Sequence, residues 1–336
     1  MRPYKTAPCC LCCLKIRGMN IVVLDSRPTD DGDLDWAPLR ELGHLTLHER
    51  TSPAQVLERI REAEVVFTNK VRLTRQAFEA APHLKYVGEM ATGTDNIDLA
   101  AAREHGVTVC NVAGYSGDFT AQLTWALILE LASRAGDHSR LVHQGAWSEC
   151  PDFSFWSFPL VELSNKTLLI VGLGNIGRRV ARIGAAFNMN VLSAILPNRQ
   201  NSGQDECRRV ELDEALGLAD VVSLHCPLTP QTRGLMNARR LAMLKPWALL
   251  VNTGRGPLVE DAPVRAALES GALAAYGADV LFPEPPPRDH PLLGAPRCIL
   301  TPHLAWASPE ARQRLLHESI DNLRGFVSGE PRNVVS

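Results

Sequence analysis

Leu168-Leu169-Ile170-Val171-Gly172-Leu173-Gly174-Asn175-Ile176-Gly177 is the stretch that decides the fold: an apolar run turns through three glycines into a helical pattern spanning 178–187. Strand, glycine turn and helix in immediate succession are the context in which Gly-x-Gly-x-x-Gly reads as a dinucleotide phosphate loop. Gly172 permits the tight turn, Gly174 lets backbone approach a pyrophosphate, and Gly177 lets the helix pack on the strand. The helix start around Asn175 and Ile176 turns N–H groups toward the anion. An acidic residue is expected about 20 positions on, to hold the adenosine ribose. The strand at 190–194 ends instead in Ile195-Leu196-Pro197-Asn198-Arg199-Gln200, with no carboxylate before Asp205. A 2′-phosphate meets no repulsion there and Arg199 offers it a cation, so NAD and NADP both stand as cofactors; Arg199 reads equally well as a solvated loop residue.

Outward from this loop, short β-branched runs alternate with helical stretches. Downstream come a helix at 213–218, a strand at 221–224, a helix at 238–243, a strand at 248–251, a helix at 262–270 and a strand at 274–280. Upstream, from Met19, strands at 21–24, 65–68, 85–87 and 107–109 alternate with helices at 52–63, 74–80 and 98–105, before a long helix at 120–135. This alternation predicts an α/β protein of two Rossmann-like or flavodoxin-like domains with parallel sheets. The length of 336 residues, about twice an ordinary domain of ~150, agrees.

Composition narrows the function. With 45% hydrophobic and 21% charged residues the chain is globular, and Lys+Arg 35 against Asp+Glu 37 lacks the positive balance that nucleic acid demands. No run nears the ~18 apolar residues of a spanning helix, since the best stretch is broken by Glu130, so no membrane partner is expected. Residues 1–18 form an atypical Cys-rich N-terminal extension in which Cys9, Cys10, Cys12 and Cys13 lack the spacers and second cluster of a thiolate site, so no metal is expected. Cys110, Cys150, Cys207, Cys226 and Cys298 are scattered and odd in number, which suits reduced thiols and a cytoplasmic location. An aromatic loop at 143–159, with Trp147, Phe153, Phe155, Trp156 and Phe158, reads as a lid, a subunit contact or a plug, packing being favoured.

Three later segments carry reactive side chains. Arg255, in Asn252-Thr253-Gly254-Arg255-Gly256, follows a buried-looking strand, where open α/β sheets bind ligands and a guanidinium suits a carboxylate. Glu284 lies between prolines after Asp279, and His303 follows Thr301-Pro302. With Thr68-Asn69-Lys70-Val71, Ala91-Thr92-Gly93-Thr94-Asp95-Asn96-Ile97-Asp98 and His225-Cys226-Pro227-Leu228-Thr229, these segments resemble the D-isomer-specific 2-hydroxyacid dehydrogenases, most closely their glycerate dehydrogenase and hydroxypyruvate (glyoxylate) reductase branch.

The resemblance implies NAD(P)-dependent interconversion of a small 2-oxo acid and its D-2-hydroxy acid, with hydroxypyruvate/D-glycerate and glyoxylate/glycolate as the pairs. It implies His303 as acid–base, Glu284 as its partner and Arg255 on the substrate carboxylate or carbonyl. Hydride addition to a carbonyl needs a proton for the oxygen, which an imidazole exchanges near neutrality. Cys226, Pro227, Thr232, Thr253, Gly254 and Asp279 would line the cofactor; Lys70, Ala91, Thr92 and Gly93 the substrate. A substrate-binding domain of 19–116 plus 303–336, an NAD(P)-binding domain of 117–302, an active site in the interdomain cleft and a homodimer are also implied. The departures are Ile195, Gly254 and Phe119-Thr120, the first bearing on cofactor choice. A nicotinamide-dependent corepressor-like sensor on the same fold is the alternative, separated from an enzyme by whether turnover exists and is lost without His303.

Overall fold

The computed structural model describes residues 18–196 and 207–336; the Cys9 to Cys13 cluster and Arg199 lie outside the described residues. The apolar runs become strands with no wet face: Val65–Thr68, Tyr86–Glu89, Val221–Leu224, Leu249–Asn252 and Ala275–Ala278 are buried at every position. Burial on both faces requires a covering layer on each side, the usual setting of a parallel sheet. The chain divides into two compact units, 18–116 with 307–336, and 117–306. The return to the first unit falls at Ala307 rather than at 303, so His303 stands in the second.

The first unit is a parallel sheet of β1 (Met19–Val23), β2 (Gly43–Leu47), β3 (Val65–Thr68), β4 (Tyr86–Glu89) and β5 (Thr108–Cys110), in the order β2-β1-β3-β4-β5. This is the flavodoxin-like winding. β3 and β4 run in step, with Thr68 opposite Glu89. Val22, Leu24, Ile60, Val66, Phe78, Val87 and Val109 form its core. Local chemistry sets the helix ends: the Asp98 carboxylate accepts from Ala101 N at 2.9 Å to start Leu99–Glu104, and Ser308 caps Pro309–Ser328 by accepting from Ala311 N at 3.2 Å.

The second unit has seven parallel strands, β6 (Thr167–Val171), β7 (Asn190–Ile195), β8 (Arg208–Glu211), β9 (Val221–Leu224), β10 (Leu249–Asn252), β11 (Ala275–Ala278) and β12 (Cys298–Leu300), ordered β12-β11-β10-β9-β6-β7-β8. Winding runs outward from β6 in both directions, so the crevice between β6 and β9 is the topological switch point at which open α/β sheets take ligands. The expected long helix is two, Gly117–Ser133 and Ala135–His143, broken at Arg134, whose φ is +52°. Trp125 fixes the first of these: it stacks on Phe187 at 4.9 Å and donates to the Val180 carbonyl at 3.1 Å. No helix among the described residues is long and apolar enough to cross a membrane.

β6 runs into Gly172, whose φ of +106° and whose approach to Cys226 N, 2.6 Å from where a Cβ would stand, leave room for glycine alone. A Cβ at Gly177 would stand 2.2 Å from the Gly172 carbonyl oxygen, so the first helical turn rests directly on the loop. Gly177→Ala is expected to lower stability by about 1–3 kcal/mol through overpacking. Gly174→Ala, with nothing within 4 Å of the added methyl, is expected to leave the melting temperature in place; calorimetry of the two variants compares them directly.

Candidate active site

All of the reactive side chains singled out between 172 and 303 hang from one edge of the second sheet. The 172–177 loop follows β6, His225 and Cys226 follow β9, Thr253 to Arg255 follow β10, Asp279 follows β11, and Thr301 to His303 follow β12. Strands β6, β9, β10, β11 and β12 are successive neighbours, and parallel pairing sends every one of these loops to the carboxyl edge.

His303 and Glu284 meet. His303 Nδ1–H donates to Glu284 Oε2 at 2.7 Å, with both side chains about one-third exposed. The carboxylate fixes the tautomer and leaves Nε2 as the ring nitrogen for a reacting group. Glu284 Oε1 accepts from Leu281 N at 3.0 Å, which ties the acid to its own turn. Two cis bonds, Phe282–Pro283 and Glu284–Pro285, lie in that turn.

The backbone at His303 lies in the left-handed region, φ +55°, an uncommon position for a residue other than glycine. Asp279 holds it there. The Asp279 carbonyl accepts from His303 N at 2.8 Å. Its carboxylate accepts from Thr301 Oγ1 at 2.6 Å, Leu304 N at 2.7 Å and Ala305 N at 2.8 Å. Burial pushes the Asp279 carboxyl up, and these hydrogen bonds oppose that rise. The carboxylate fastens the loop of His303, a duty that sequence reasoning does not foresee.

Arg255 is positioned in the same way by Asn252, fully buried at the end of β10. Asn252 Oδ1 accepts from Gly254 N at 3.0 Å and Asn252 Nδ2 donates to the Arg255 carbonyl at 2.9 Å. A Cβ at Gly256 would stand 2.2 Å from the Leu281 carbonyl oxygen, so the arginine loop lies directly against the chain that leads to Glu284. Asn252 is visible in the sequence as the polar end of an apolar strand; Thr124, whose hydroxyl meets that of Thr253 at 2.9 Å, carries no such signal.

The remaining histidines of this unit do other work. His225 is partly buried, its Nε2 2.8 Å from Ser223 Oγ, and desolvation pushes its imidazole down to about 3, so it stays neutral near pH 7. His290 is buried against Asp261, Nε2 to Oδ2 3.2 Å. His138, whose Nδ1 lies 2.8 Å from the Arg134 carbonyl, and His143, at the end of Ala135–His143, stand away from the Glu284 carboxylate, which His303 alone of the histidines meets among the described residues.

The phosphate loop fits a nicotinamide dinucleotide. The space beside Gly174 is open, and the helix Asn175–Ala186 begins with no side-chain cap, so its first N–H groups are available to an anion. Cys226 is buried behind Gly172, and Thr232 Oγ1 donates to the Pro227 carbonyl at 2.7 Å, which fixes the second wall. The described end of β7 is Ile195, with no carboxylate at that position. In the first unit Lys70 is exposed after β3, and Ala91-Thr92-Gly93 follow β4, where the Thr92 hydroxyl donates to the Val112 carbonyl at 3.0 Å.

Comparison with known proteins places the chain in a family. The family model described as "D-isomer specific 2-hydroxyacid dehydrogenase, NAD binding domain" matches residues 125–305. A hydroxypyruvate reductase from Blautia hydrogenotrophica is 41% identical, over 95% of this chain and 100% of that protein. A glycerate dehydrogenase from Methylorubrum extorquens is 36% identical, over 84% of this chain and 89% of that protein. The solved TT0316 protein from Thermus thermophilus superposes with a TM-score of 0.83 at 34% identity, covering 95% of this chain and 100% of that one. The chain belongs to the D-isomer-specific 2-hydroxyacid dehydrogenases, and its second unit carries that family's NAD-binding domain.

Proposed function

We propose that this dehydrogenase acts on small 2-oxo acids, hydroxypyruvate and glyoxylate first among them, reducing them to D-glycerate and glycolate. The observation that carries the reading is the His303–Glu284 pair, 2.7 Å apart, in the same unit and at the same sheet edge as the 172–177 loop. The names of the relatives, a hydroxypyruvate reductase and a glycerate dehydrogenase, support the substrate class.

Gly172, Gly174, Asn175, Ile176 and Gly177, with Cys226, Pro227, Thr232, Thr253, Gly254 and Asp279, would hold a reduced nicotinamide, NADH or NADPH, which would supply the hydride. Charge then develops on the substrate's carbonyl oxygen, and His303 gives that oxygen its proton. Glu284 orients the imidazole through the 2.7 Å hydrogen bond to Nδ1, so that Nε2 faces the substrate's oxygen. Arg255 donates paired hydrogen bonds to the substrate carboxylate or polarises the carbonyl, stabilising the developing charge. Lys70 and the N–H groups of Ala91, Thr92 and Gly93 take the substrate side. In the oxidative direction His303 receives the hydroxyl proton.

The reading includes a homodimer. Phe153 is 91% exposed, Trp156 73% and Leu160 58%, an apolar surface in the cofactor-binding unit that a second copy would cover. Phe158 takes no part, because it packs under the Arg134 guanidinium at 4.8 Å and against His138. The reading also places the chain in the cytoplasm; the five described cysteines form no disulfide, in keeping with a reducing compartment.

His303→Asn, chosen because asparagine tolerates a left-handed backbone, is expected to cut kcat with hydroxypyruvate by roughly 10²–10⁴-fold while melting stays near wild type, read from nicotinamide absorbance. Run in parallel with NADH and NADPH, the same assay ranks the two cofactors, and Gly174→Ala is expected to raise KM for either with little change in stability. Phe153→Ser combined with Trp156→Ser is expected to sediment as a monomer; a dimer in that variant removes the aromatic loop from the interface.

A further inference from the structure

The first unit holds a cluster of buried polar side chains at the carboxyl ends of three adjacent strands: Asp25 after β1, Asn69 after β3 and Glu89 at the end of β4, exposed by 4%, 3% and 1%. Asp25 is fully engaged. Its Oδ1 accepts from Asn69 N at 2.8 Å, and its Oδ2 from Lys70 N at 2.6 Å and Val71 N at 3.3 Å, which pins the loop bearing Lys70. Glu89 is engaged on one side alone. Its Oε2 accepts from Asn96 Nδ2 at 3.0 Å, while its Oε1 is buried without a hydrogen-bond partner among the described residues.

Those two residues bracket the 91–93 segment. Ahead of it, Met90 N donates to the Thr68 carbonyl at 2.7 Å and the Met90 carbonyl accepts from Asn69 Nδ2 at 2.5 Å. Behind it, the Asn96 side chain also donates to the Val71 carbonyl at 3.2 Å and the Asn96 carbonyl accepts from Leu73 N at 2.9 Å. Glu89 is the one acceptor that ties the far bracket, Asn96, to the end of β4.

We propose that Glu89 is a positioning residue for substrate binding: by holding Asn96 it fixes the 91–93 segment, which on the reading above receives the substrate carboxylate. The proposal rests on that reading of the loop. Glu89 does this as the uncharged acid. A buried carboxylate with an unpartnered oxygen is costly, whereas a proton on Oε1 removes the charge and leaves Oε2 to accept from Asn96. Burial drives the Glu89 carboxyl well above the usual range, and Asp25 and Asp95 push the same way; the Asn96 hydrogen bond and the Lys70 charge oppose them. A neutral Glu89 also spares an anionic substrate the repulsion of a second carboxylate next to its loop.

The sign of the pH dependence follows. A carboxyl whose native pKa is raised stabilises the fold below its unfolded value, and that stability drains as pH rises toward the native one. As Glu89 ionises, the charge beside the loop weakens substrate binding, so KM climbs as pH rises through that ionisation.

The test uses the full-length enzyme with hydroxypyruvate and glyoxylate, measuring kcat and KM upward from acid pH as far as the enzyme stays folded. Glu89→Leu fills the same space with no acceptor, and it is expected to raise KM about tenfold with kcat within about twofold, the mark of lost binding rather than lost chemistry. Asn96→Ala is expected to do the same and serves where Glu89→Leu folds poorly. Glu89→Gln keeps the acceptor and cannot ionise, so it should keep KM at the wild-type low-pH value, flatten the rise of KM with pH that Glu89 contributes, and melt progressively higher than wild type as pH increases. An active wild type whose KM is unmoved by Glu89→Leu and Asn96→Ala overturns the positioning role, and a Glu89→Gln variant that repeats the wild-type KM profile overturns the uncharged state. A wild type that turns over no 2-oxo acid overturns the underlying reading and this proposal with it.

Discussion

The Asp279 carboxylate, 1% exposed at the end of β11, accepts hydrogen bonds from Thr301, Leu304 and Ala305 while the Asp279 carbonyl accepts from His303 N. Four hydrogen bonds accepted by one residue tie down the chain after β12, and they hold His303 in a backbone region that costs about 1–3 kcal/mol to occupy. Asn252 does the equivalent on the next strand, where its side chain spans Gly254 and Arg255. Each reactive side chain sits on a loop, so precision has to come from the buried polar residue at the strand end beneath it.

The sheet supplies the second constraint. Parallel strands deliver all their outgoing loops to one edge, and the winding order makes β6 and β9 neighbours although 49 residues or more separate their ends in sequence. Gly172 and Cys226 meet there so closely that no side chain fits, while the space beside Gly174 stays open. Glycine serves opposite ends at these two positions: one lets protein touch protein, the other leaves room for a ligand.

Much of this was legible in the sequence, for a physical reason. Central strands are buried on both faces and read as unbroken apolar runs, so β3, β4, β6, β9, β10 and β11 announce themselves. The strands that escape a reading of that kind are β2 and β8, with the patterns Gly-His-Leu-Thr-Leu and Arg-Arg-Val-Glu. Both are sheet edges, each with a single buried position and at least one exposed one, so neither reads as an apolar run. Arg255, Glu284 and His303 stood out because charged groups follow apolar strands, and because their segments match a known pattern. The residues that position them did not: Thr301 looks like any turn threonine, and the role of Asp279 depends on a hydrogen-bonding geometry that no spacing encodes.

Buried carboxyls at strand ends therefore divide by what they touch. Asp25 and Asp279 each accept three hydrogen bonds from backbone or hydroxyl donors, which reward the ionised form and make them fasteners of loops. Glu89 accepts one, from a side-chain amide, and its second oxygen meets no donor. Burial raises all three, so burial does not separate them; donor count does. The same carboxyl group is thus a fixed anion where the backbone surrounds it with N–H groups and a neutral acid where it does not, and in the first unit both kinds stand side by side beneath the loops that carry Lys70 and Thr92.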